Sequence, residues 1–595
     1  MQLARMQAHC NTFLAGCLLA LLILAGASTD GADTEDHLSL LTFSRRMSQK
    51  VEAAVEAYQV RLCALERTNA RLRRALTDLQ EWRQRQDRIL QHVAYRDDSL
   101  LVTTNLIVKD ANIQVFTTLP KAERAGKGNV IVGVGHKFAD ASNSFVAGNY
   151  NTISGVGVSV TAGRYNSAAG KFASVNGGQN NEANGSCTSV GGGRWNRAIG
   201  NFSSVSGGRV NLASGTFASV SAGWNNTASA WGASISGGHN NTANGGLGSV
   251  SGGQDNKASG GYSSVNGGKG NTAIGSFSVV NGGQTNIASG PASSVSGGDE
   301  NQAKGSSASV SGGRYNGATG EFAWAGGGAN NNADGSGASV SGGVLNHVSY
   351  FATVSGGYGN TASGSYSSVS GGQGNIASGQ LATVSAGYRN NAKGSWASVS
   401  AGRDNVAGGQ LASVSGGGWN NASGPESSVS GGGLNNASAE MSSVSGGGGN
   451  AAVDVLDSVS GGVANTASGP GASVSAGRRN TANGNTSAVS GGKDNRANGP
   501  SASVSGGSSN KATGDGASVS GGFMNSAVGN DAVVSGGCMN TAFALDSSVG
   551  GGYENVAYNT RASVNGGRQN MASGVDSTVN GGYRYYIDED VGVAP

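Results

Sequence analysis

The sequence is poor in the residue types that stabilise small secreted proteins or form catalytic sites. It contains 5 cysteines, 6 prolines and 6 histidines in 595 residues, and charged residues make up only 12% of the chain. Once a predicted signal peptide is removed, Cys63, Cys187 and Cys538 remain, and three widely spaced thiols make no disulfide framework. The formal net charge of +3 does not indicate a nucleic-acid-binding protein. Stability is therefore expected to come from the stacking of the chain itself.

Motifs for catalysis and for cofactor binding are also missing. His136, His239 and His347 share no metal-ligand spacing, which argues against a zinc site. The glycine-rich string at 133–135 lacks the strand-turn-helix context and the acidic partner of a nucleotide site. The abundant serines have no histidine and acidic partners in any repeating frame. The sequence therefore predicts a protein that is not an enzyme and that binds no cofactor or metal.

Glycine, by contrast, is abundant, with 105 residues, and it recurs at a fixed period of fifteen. The repeated frame is x-Ala-Ser-Val-Ser-Gly-Gly-x-x-Asn-x-Ala-Ser-Gly-x. With valine as position 0, the frame runs from Val160 to Val579 in 29 units, with one fourteen-residue step between Val340 and Val354. Position +3 is glycine in every unit, position +6 is asparagine in 28 successive units, and position +8 is almost always alanine. A fixed period of this length indicates a stack of identical structural units.

Alternation within each unit predicts two short strands. The residues kept from unit to unit occupy even positions, whereas odd positions carry Ser, Thr, Lys, Glu or Gln. One strand is expected around Ala-Ser-Val-Ser-Gly and the other around Asn-x-Ala-Ser-Gly. Glycines at +3 and +10 are expected in left-handed or tight turns, and Asp454 and Asn559 at +10 are residue types that tolerate such a backbone. The predicted fold is an all-β parallel solenoid of 15-residue coils stacked about 4.8 Å apart.

The asparagines at +6 are predicted to form a ladder in which each side-chain amide bonds to the next. The alternative is that they serve only as turn residues. A buried amide without a partner would cost about 1 to 3 kcal/mol, so the 28-fold recurrence favours mutual hydrogen bonding. Members of this predicted ladder are Asn166, Asn390, Asn405, Asn420 and Asn570.

The frame Ser-Val-Ser-Gly-Gly-x-x-Asn-x-Ala-Ser-Gly resembles the head repeats of the trimeric autotransporter adhesins, the YadA-like left-handed parallel β-roll. The resemblance covers most of the chain and implies a left-handed roll, a homotrimer and a cell-surface setting. A coil with one valine and two alanines inside encloses a thin core, and a single chain then buries little apolar surface, which agrees with trimerisation. The sequence departs from the adhesins because no membrane anchor is recognisable after the repeats.

The N-terminal region predicts a different organisation. It opens with the basic residues, apolar run and small-residue end of a secretory signal peptide, so the mature protein is expected to be secreted or at the cell surface, without a membrane span. A segment with apolar residues at 4,3 spacing follows and predicts a coiled coil. Its Asn69, at an a position, is typical of dimers, whereas the head resemblance implies a trimer. The predicted segments are signal peptide 1–27, linker 28–40, coiled coil 41–95, β transition and N-terminal cap 96–159, repeats 160–584 and C-terminal tail 585–595.

The positions that vary between units are the best candidates for binding. Position +4 mixes Arg or Lys with aromatic residues, types that are enriched in contact surfaces, and these residues are expected along one edge of the array. A solvated turn row with no partner is the alternative. Aromatic residues at +12, such as Phe202 and Phe217, are expected to pack between subunits. The predicted contact row consists of Arg164, Arg194, Arg209, Trp224, Lys269, Arg314, Tyr358, Tyr388, Arg403, Arg478, Lys493 and Arg568.

Two functions remain open at this stage. The first is a secreted or cell-surface, adhesin-like structural rod that presents a repetitive surface to matrix, glycan or other cells. The second is an ice-binding or mineral-binding β-solenoid, suggested by the outward serine rows that flank each valine. Regular threonine rows would favour the second function, and here serine and asparagine predominate.

Overall fold

A computed structural model describes two long stretches of the chain, 34–83 and 126–595, and the isolated residues 8, 12, 15, 113 and 115. Apart from these isolated residues, the predicted signal peptide at 1–27 and the predicted β transition before residue 126 therefore lie outside the described residues. The chain divides into two compact units, Met1–Gln114 and Val115–Pro595.

The first unit contains a helix from Thr34 to Arg83. This stretch has no proline or glycine and is rich in Leu, Ala, Glu and Arg, which are strong helix formers. The helix begins within the segment predicted as a linker, and residues 84–95 of the predicted coiled coil lie outside the described residues. Leu65, Leu72 and Leu76 of the heptad pattern are exposed in the single chain. No helix among the described residues is long and apolar enough to cross a membrane.

The described part of the second unit is a parallel β-solenoid, which confirms the predicted stack of fifteen-residue coils. Each regular coil contributes two strands of two residues, such as Ser398–Val399 and Val406–Ala407. Each strand pairs in parallel with the same strand of the next coil, so that Ser398 pairs with Ser413 and Val406 with Asn421. Within residues 126–595 this pairing builds two sheets, one of 32 strands and one of 31.

The strand bounds follow the repeat positions. From Ser159–Val160 and Ser167–Ala168 onwards, one strand of each coil spans positions −1 to 0 and the other spans +7 to +8. Two longer strands precede them in the first sheet and pair with each other in parallel. The strands outside the regular period are Val130–Val134, Lys137–Phe138, Phe145–Asn149 and Thr152–Ile153 before it, and Tyr586–Ile587 and Val593–Ala594 after it.

The core is formed by small side chains at three repeat positions along the inside of the coils. Val399 at position 0, Ala407 at +8 and Ala412 at −2 are all buried, and their equivalents are buried in the other regular coils. Because valine and alanine are small, each coil removes little apolar surface from water, and its stability has to come largely from its two neighbours.

Glycine at +3 is required both by the backbone and by the available space. Gly402 has φ 96°, in the left-handed region that favours glycine. A Cβ atom on Gly402 would overlap the carbonyl oxygen of Gly417 and the side-chain nitrogen of Asn405. Gly416, at +2, has open space around the equivalent position. The difference explains why +3 is always glycine, whereas +2 is alanine in some coils, as at Ala401.

Glycine at +10 has a different cause from the one predicted from the sequence. A tight turn does begin at +10, since the N–H of Ala412 donates a 3.1 Å hydrogen bond to the carbonyl oxygen of Gly409, but the expected left-handed backbone is wrong, because the left-handed residues of the regular coils lie at +3, +5 and +12. Asp454 and Asn559 are not left-handed either. A Cβ atom on Gly409 would overlap the carbonyl oxygen of Gly424 in the next coil. The close approach of successive coils therefore selects glycine at this position.

The segment 585–595, predicted as a tail, forms a final coil instead. Tyr586 pairs with Met571, and Val593 pairs with Thr578. The sequence conceals this coil because Tyr585 stands at +6 in place of asparagine and because +10 is not glycine. The last coil is therefore defined by its backbone hydrogen bonds and not by the residues of the repeat.

The fourteen-residue coil keeps the register of the array. Val340 still pairs with Val354, and His347 still pairs with Thr361. The backbone N–H of Asn360 donates a 2.9 Å hydrogen bond to the side-chain oxygen of Asn346, as in coils of full length. The turn that follows position +9 is therefore one residue shorter in this coil than in the others.

Candidate contact surface

The asparagine row is buried and bonds each coil to the next, mainly through backbone groups and not through the predicted amide-to-amide bonds. Asn405 Oδ1 accepts a hydrogen bond from the backbone N–H of Asn420 at 3.0 Å. Asn405 Nδ2 donates to the carbonyl oxygens of Ala401 and Gly417, each at 3.0 Å. The same three bonds recur at the other predicted ladder residues, Asn166, Asn390, Asn420 and Asn570.

The amides bond to the backbone because the strands are only two residues long. Such strands leave the N–H at +6 and the carbonyl at +2 outside the two sheets, and buried backbone groups are almost always paired. One asparagine amide provides two donors and an acceptor and so satisfies both neighbours. At Asn226 the side-chain nitrogen also lies 3.2 Å from Asn211 Oδ1, which approaches the predicted geometry. The row is therefore structural and faces away from solvent.

The twelve residues of the predicted contact row are all exposed and follow one another along the array. Each +4 residue forms a single parallel bridge with the +4 residue of the next coil, as Arg194 does with Arg209 and Arg209 with Trp224. The backbone N–H of Arg403 donates a 2.8 Å hydrogen bond to the carbonyl oxygen of Gly417. Position +4 is thus an ordered third ladder, which holds its side chains about 4.8 Å apart.

Neighbouring side chains of the row contact one another. The guanidinium of Arg403 lies 5.7 Å from the ring centre of Tyr388 and 4.9 Å from that of Trp419. The guanidinium of Arg314 lies 3.3 Å from a carboxylate oxygen of Asp299. An exposed contact between a guanidinium group and an aromatic ring contributes about 0.5 to 1 kcal/mol. They order long side chains before any partner arrives.

The densest part of this surface is the Arg/Trp cluster, formed by Arg194, Trp195, Arg209, Trp224 and His239. The rings of Trp224 and His239 stack with centres 4.5 Å apart, and the guanidinium of Arg209 lies 5.8 Å from the Trp224 ring. Trp195 and Trp224 are both about half exposed. Arg194 and Arg209 are adjacent, so their like charges repel each other. An anionic partner would relieve this repulsion.

Sequence analysis missed the contribution of position +5. Tyr165, Trp195, Tyr315 and Trp419 occupy this position, are exposed and have φ between 53° and 60°. Arg314 donates a 3.1 Å hydrogen bond to the hydroxyl of Tyr315, so residues at +4 and +5 share one surface. The signal was available, because aromatic residues recur at +5 in the same frame as at +4.

The described residues contain no group of three or more His, Cys, Asp or Glu side chains that could hold a metal ion. A depression of about 340 Å³ lies beside Gly317, where neighbouring coils carry Gln302 and Asn332 at the same repeat position. Its lining is polar and includes Tyr315 and Lys304. It is a gap left by one missing side chain in a row.

Comparison with protein-family models and with curated proteins finds no match for this chain. The resemblance to adhesin heads therefore depends on the repeat frame, together with the parallel solenoid of about fifteen residues per coil. What the surface does has to be argued from its geometry and its chemistry.

Proposed function

We propose that this chain is a secreted or cell-surface, adhesin-like protein whose coil array presents the contact row to matrix, glycan or other cells. The observation that carries the proposal is the series of exposed basic and aromatic residues at +4, a position that parallel bridges join from coil to coil; Gln, Asp or small residues such as Gly418 and Gly433 occupy it in the intervening coils. Such a surface suits an extended, repetitive ligand, because each further coil adds a contact at high effective concentration.

The chemistry of the row favours an acidic glycan within this class of ligand. Guanidinium groups such as those of Arg194 and Arg209 bind carboxylate and sulfate groups through paired hydrogen bonds. Exposed Trp195 and Trp224 add flat apolar faces beside them. Together, these groups can contact both the charged substituents and the apolar faces of sugar rings.

The proposal includes a left-handed roll and a homotrimer, as the resemblance implies. The thin core supports association, because one chain buries little apolar surface. Leu65, Leu72 and Leu76 support it independently, since a helix with an exposed heptad row is stabilised when partner helices cover that row. The helix would then act as a coiled coil that holds the copies together.

The test is binding of the purified full chain to immobilised heparin and chondroitin sulfate, with neutral dextran as a blank. The variant R194S/R209S removes two charges from the contact row. The matched control K257S/K511S removes two charges from exposed +7 positions on the second sheet. We expect the first variant to bind at least tenfold more weakly and the control to bind like the native protein. Equal losses in both variants would show unspecific attraction and would contradict the proposal.

A further inference from the structure

A second exposed row lies at position +12, and the contact row does not include it. Across the 20 successive coils from Phe172 to Leu456, large apolar side chains occupy this position in 14 coils. In the next eight coils, from Gly471 to Asp576, the position holds only Gly, Thr, Ser, Asp or Arg. We refer to the 14 side chains as the apolar stripe: Phe172, Phe202, Phe217, Leu247, Tyr262, Phe277, Phe322, Phe351, Tyr366, Leu381, Trp396, Leu411, Met441 and Leu456.

Backbone conformation does not explain this change along the array. Position +12 is left-handed in both parts, with φ 58° at Phe202 and 62° at Trp396 in the stripe, and φ 52° at Thr486 and 54° at Asp546 beyond it. A left-handed backbone is unfavourable for a bulky residue, whereas Gly, Asn and Asp tolerate it best. Of the nine +12 positions from Gly471 to Val591, six hold Gly, Ser or Asp, and the other three hold Thr486, Arg561 and Val591. The stripe carries the types that tolerate this backbone least.

Packing within one chain offsets only part of this cost. The rings of Phe202 and Phe217 stack with centres 5.0 Å apart, which is a favourable aromatic contact. Phe322, however, lies between Ser307 and Gly337 in the row and is 63% exposed. A strained and exposed phenylalanine gains little from its own chain. Its selection indicates a partner outside the chain.

The stripe offers enough surface for a stable interface. A fully buried aromatic side chain covers about 150 to 250 Å², so a half-exposed one leaves about 100 Å² to cover. Fourteen large side chains therefore present roughly 1,000 Å² per chain, against about 800 Å² per partner in a stable complex. The largest apolar patch on a monomeric protein is typically about 300 to 600 Å².

We infer that the apolar stripe is covered by further copies of this chain, lying parallel and in register. Parallel alignment brings the whole stripe of one copy against that of another, whereas an antiparallel arrangement would set about half of it against the polar coils, at a cost in buried apolar area. The inference rests on the homo-oligomer of the proposed function and adds the face of the coil that forms the interface.

The stripe also fixes where the interface ends. Beyond Leu456, the +12 positions include Asp531, Asp546 and Asp576, with Arg561 among them. In register, each of these carboxylates would lie opposite its own copy, and like charges at close range repel; among the first 20 coils only Glu426 places a carboxylate at this position. The copies are therefore in close contact along the first 20 coils and separate along the last ones.

A native thiol reports on this contact. Cys187 is at +12, inside the stripe, and it is exposed in the single chain. In the variant C63S/C538S it is the only thiol of residues 28–595, and its maleimide labelling rate measures whether the stripe is covered. The matched thiol is T486C in a C63S/C187S/C538S background, at the same repeat position beyond the stripe. We expect Cys187 to label at least tenfold more slowly than the cysteine at 486.

A second pair of variants tests which row covers the thiol. F202N/F217N/Y262N/F277N alters the stripe with a residue that tolerates the left-handed backbone. Y165N/W195N/Y315N/W419N makes the same change at +5, which is left-handed and exposed as well. With circular dichroism unchanged, the first variant should raise the labelling of Cys187 to the rate at 486 and weaken association in sedimentation, and the second should alter neither.

The outcomes separate this inference from the function it rests on. Equal labelling at 187 and 486 in an oligomeric native protein would overturn the stripe as an interface and leave the oligomer in place. Faster labelling in the +5 variant alone would assign the interface to the other row and would overturn the inference too. A native protein that is monomeric at all concentrations would refute both the inference and the homo-oligomer.

Discussion

The side-chain oxygen of Asn405 accepts a hydrogen bond from the backbone N–H of Asn420, 3.0 Å away in the next coil. Both groups are buried, so neither can exchange its partner for water. Because the same bond recurs from coil to coil, the free energy of unfolding depends on contacts between nearest neighbours.

Replacing an asparagine in the middle of the array should cost more than replacing one near its end. Asn405→Leu leaves the N–H of Asn420 and the carbonyl of Ala401 without a partner, at about 1 to 3 kcal/mol for each unpaired group, whereas the carbonyl of Gly417 keeps its hydrogen bond from the N–H of Arg403. Asn570→Leu affects a coil close to the end, where fewer coils depend on it. In urea unfolding followed by circular dichroism, the first variant should unfold at a lower urea concentration than the native protein and in two transitions instead of one. Equally small effects of the two substitutions on stability would show that the asparagines serve only as turn residues.

Replacing glycine by alanine should destabilise the protein at +3 and leave its stability nearly unchanged at +2. Gly402→Ala places a Cβ atom against Gly417 and Asn405 on a left-handed backbone, and we expect a loss of more than about 2 kcal/mol. Gly416→Ala meets open space and should stay within about 0.5 kcal/mol of the native protein. The two midpoints of chemical unfolding provide the comparison. A large loss for Gly416→Ala would contradict the stated cause.

Thermal stability should fall as the pH rises through 6, because of Asp457. This carboxyl is buried at position −2, and burial raises its pKa to about 6, although it accepts hydrogen bonds from the N–H groups of Asp454 at 2.7 Å and Ala472 at 3.0 Å. The pKa in the folded protein is above the unfolded value of 3.8, so the stabilising effect is complete below pH 4 and disappears above pH 6. Asp457→Ser should flatten the profile of Tm between pH 4 and pH 7. The exposed control Asp515→Ser should keep it.

Thermal hysteresis should be absent, which distinguishes the adhesin-like function from the ice-binding alternative. An ice-binding face needs one regular row of hydroxyl groups. The serine row at position −1 is interrupted by Val279, Trp324, Ala488 and Val533, and the row at +1 is interrupted by Gly191, Gly326 and Gly550. Ice-crystal growth in a nanolitre osmometer gives the answer directly. Hysteresis that grows with protein concentration would favour the alternative.

The period of fifteen could be predicted because burial repeats with it. Val399 and Ala407 face the core in every equivalent coil, and their identity hardly changes, so pattern alone finds both sheets. The left-handed residues at +5 and +12 could not be found in this way. Phe202 and Arg561 share the same backbone conformation, and the closure of the coil, not the residue type, imposes it.

The contact row could be placed from its position in the repeat, whereas its internal contacts could not. Arg403 contacts Trp419 of the next coil because the single bridges between +4 residues hold the two coils in register. Such isolated bridges leave no pattern in the sequence, so this third ladder could not be predicted. The hydrogen bonds of the asparagines were missed in detail for a similar reason. Their partners are carbonyl groups, such as that of Gly417, which every residue possesses.

The asparagine bonds join only adjacent coils, and the short coil between Val340 and Val354 keeps the register in spite of its lost residue. Inserting or deleting one whole coil therefore recreates the same neighbour contacts on both sides of the change. Recombination between near-identical repeats in the gene would yield proteins that fold like the parent and differ only in reach. The number of coils can thus change rapidly in evolution, whereas the residues that form the inside of each coil cannot.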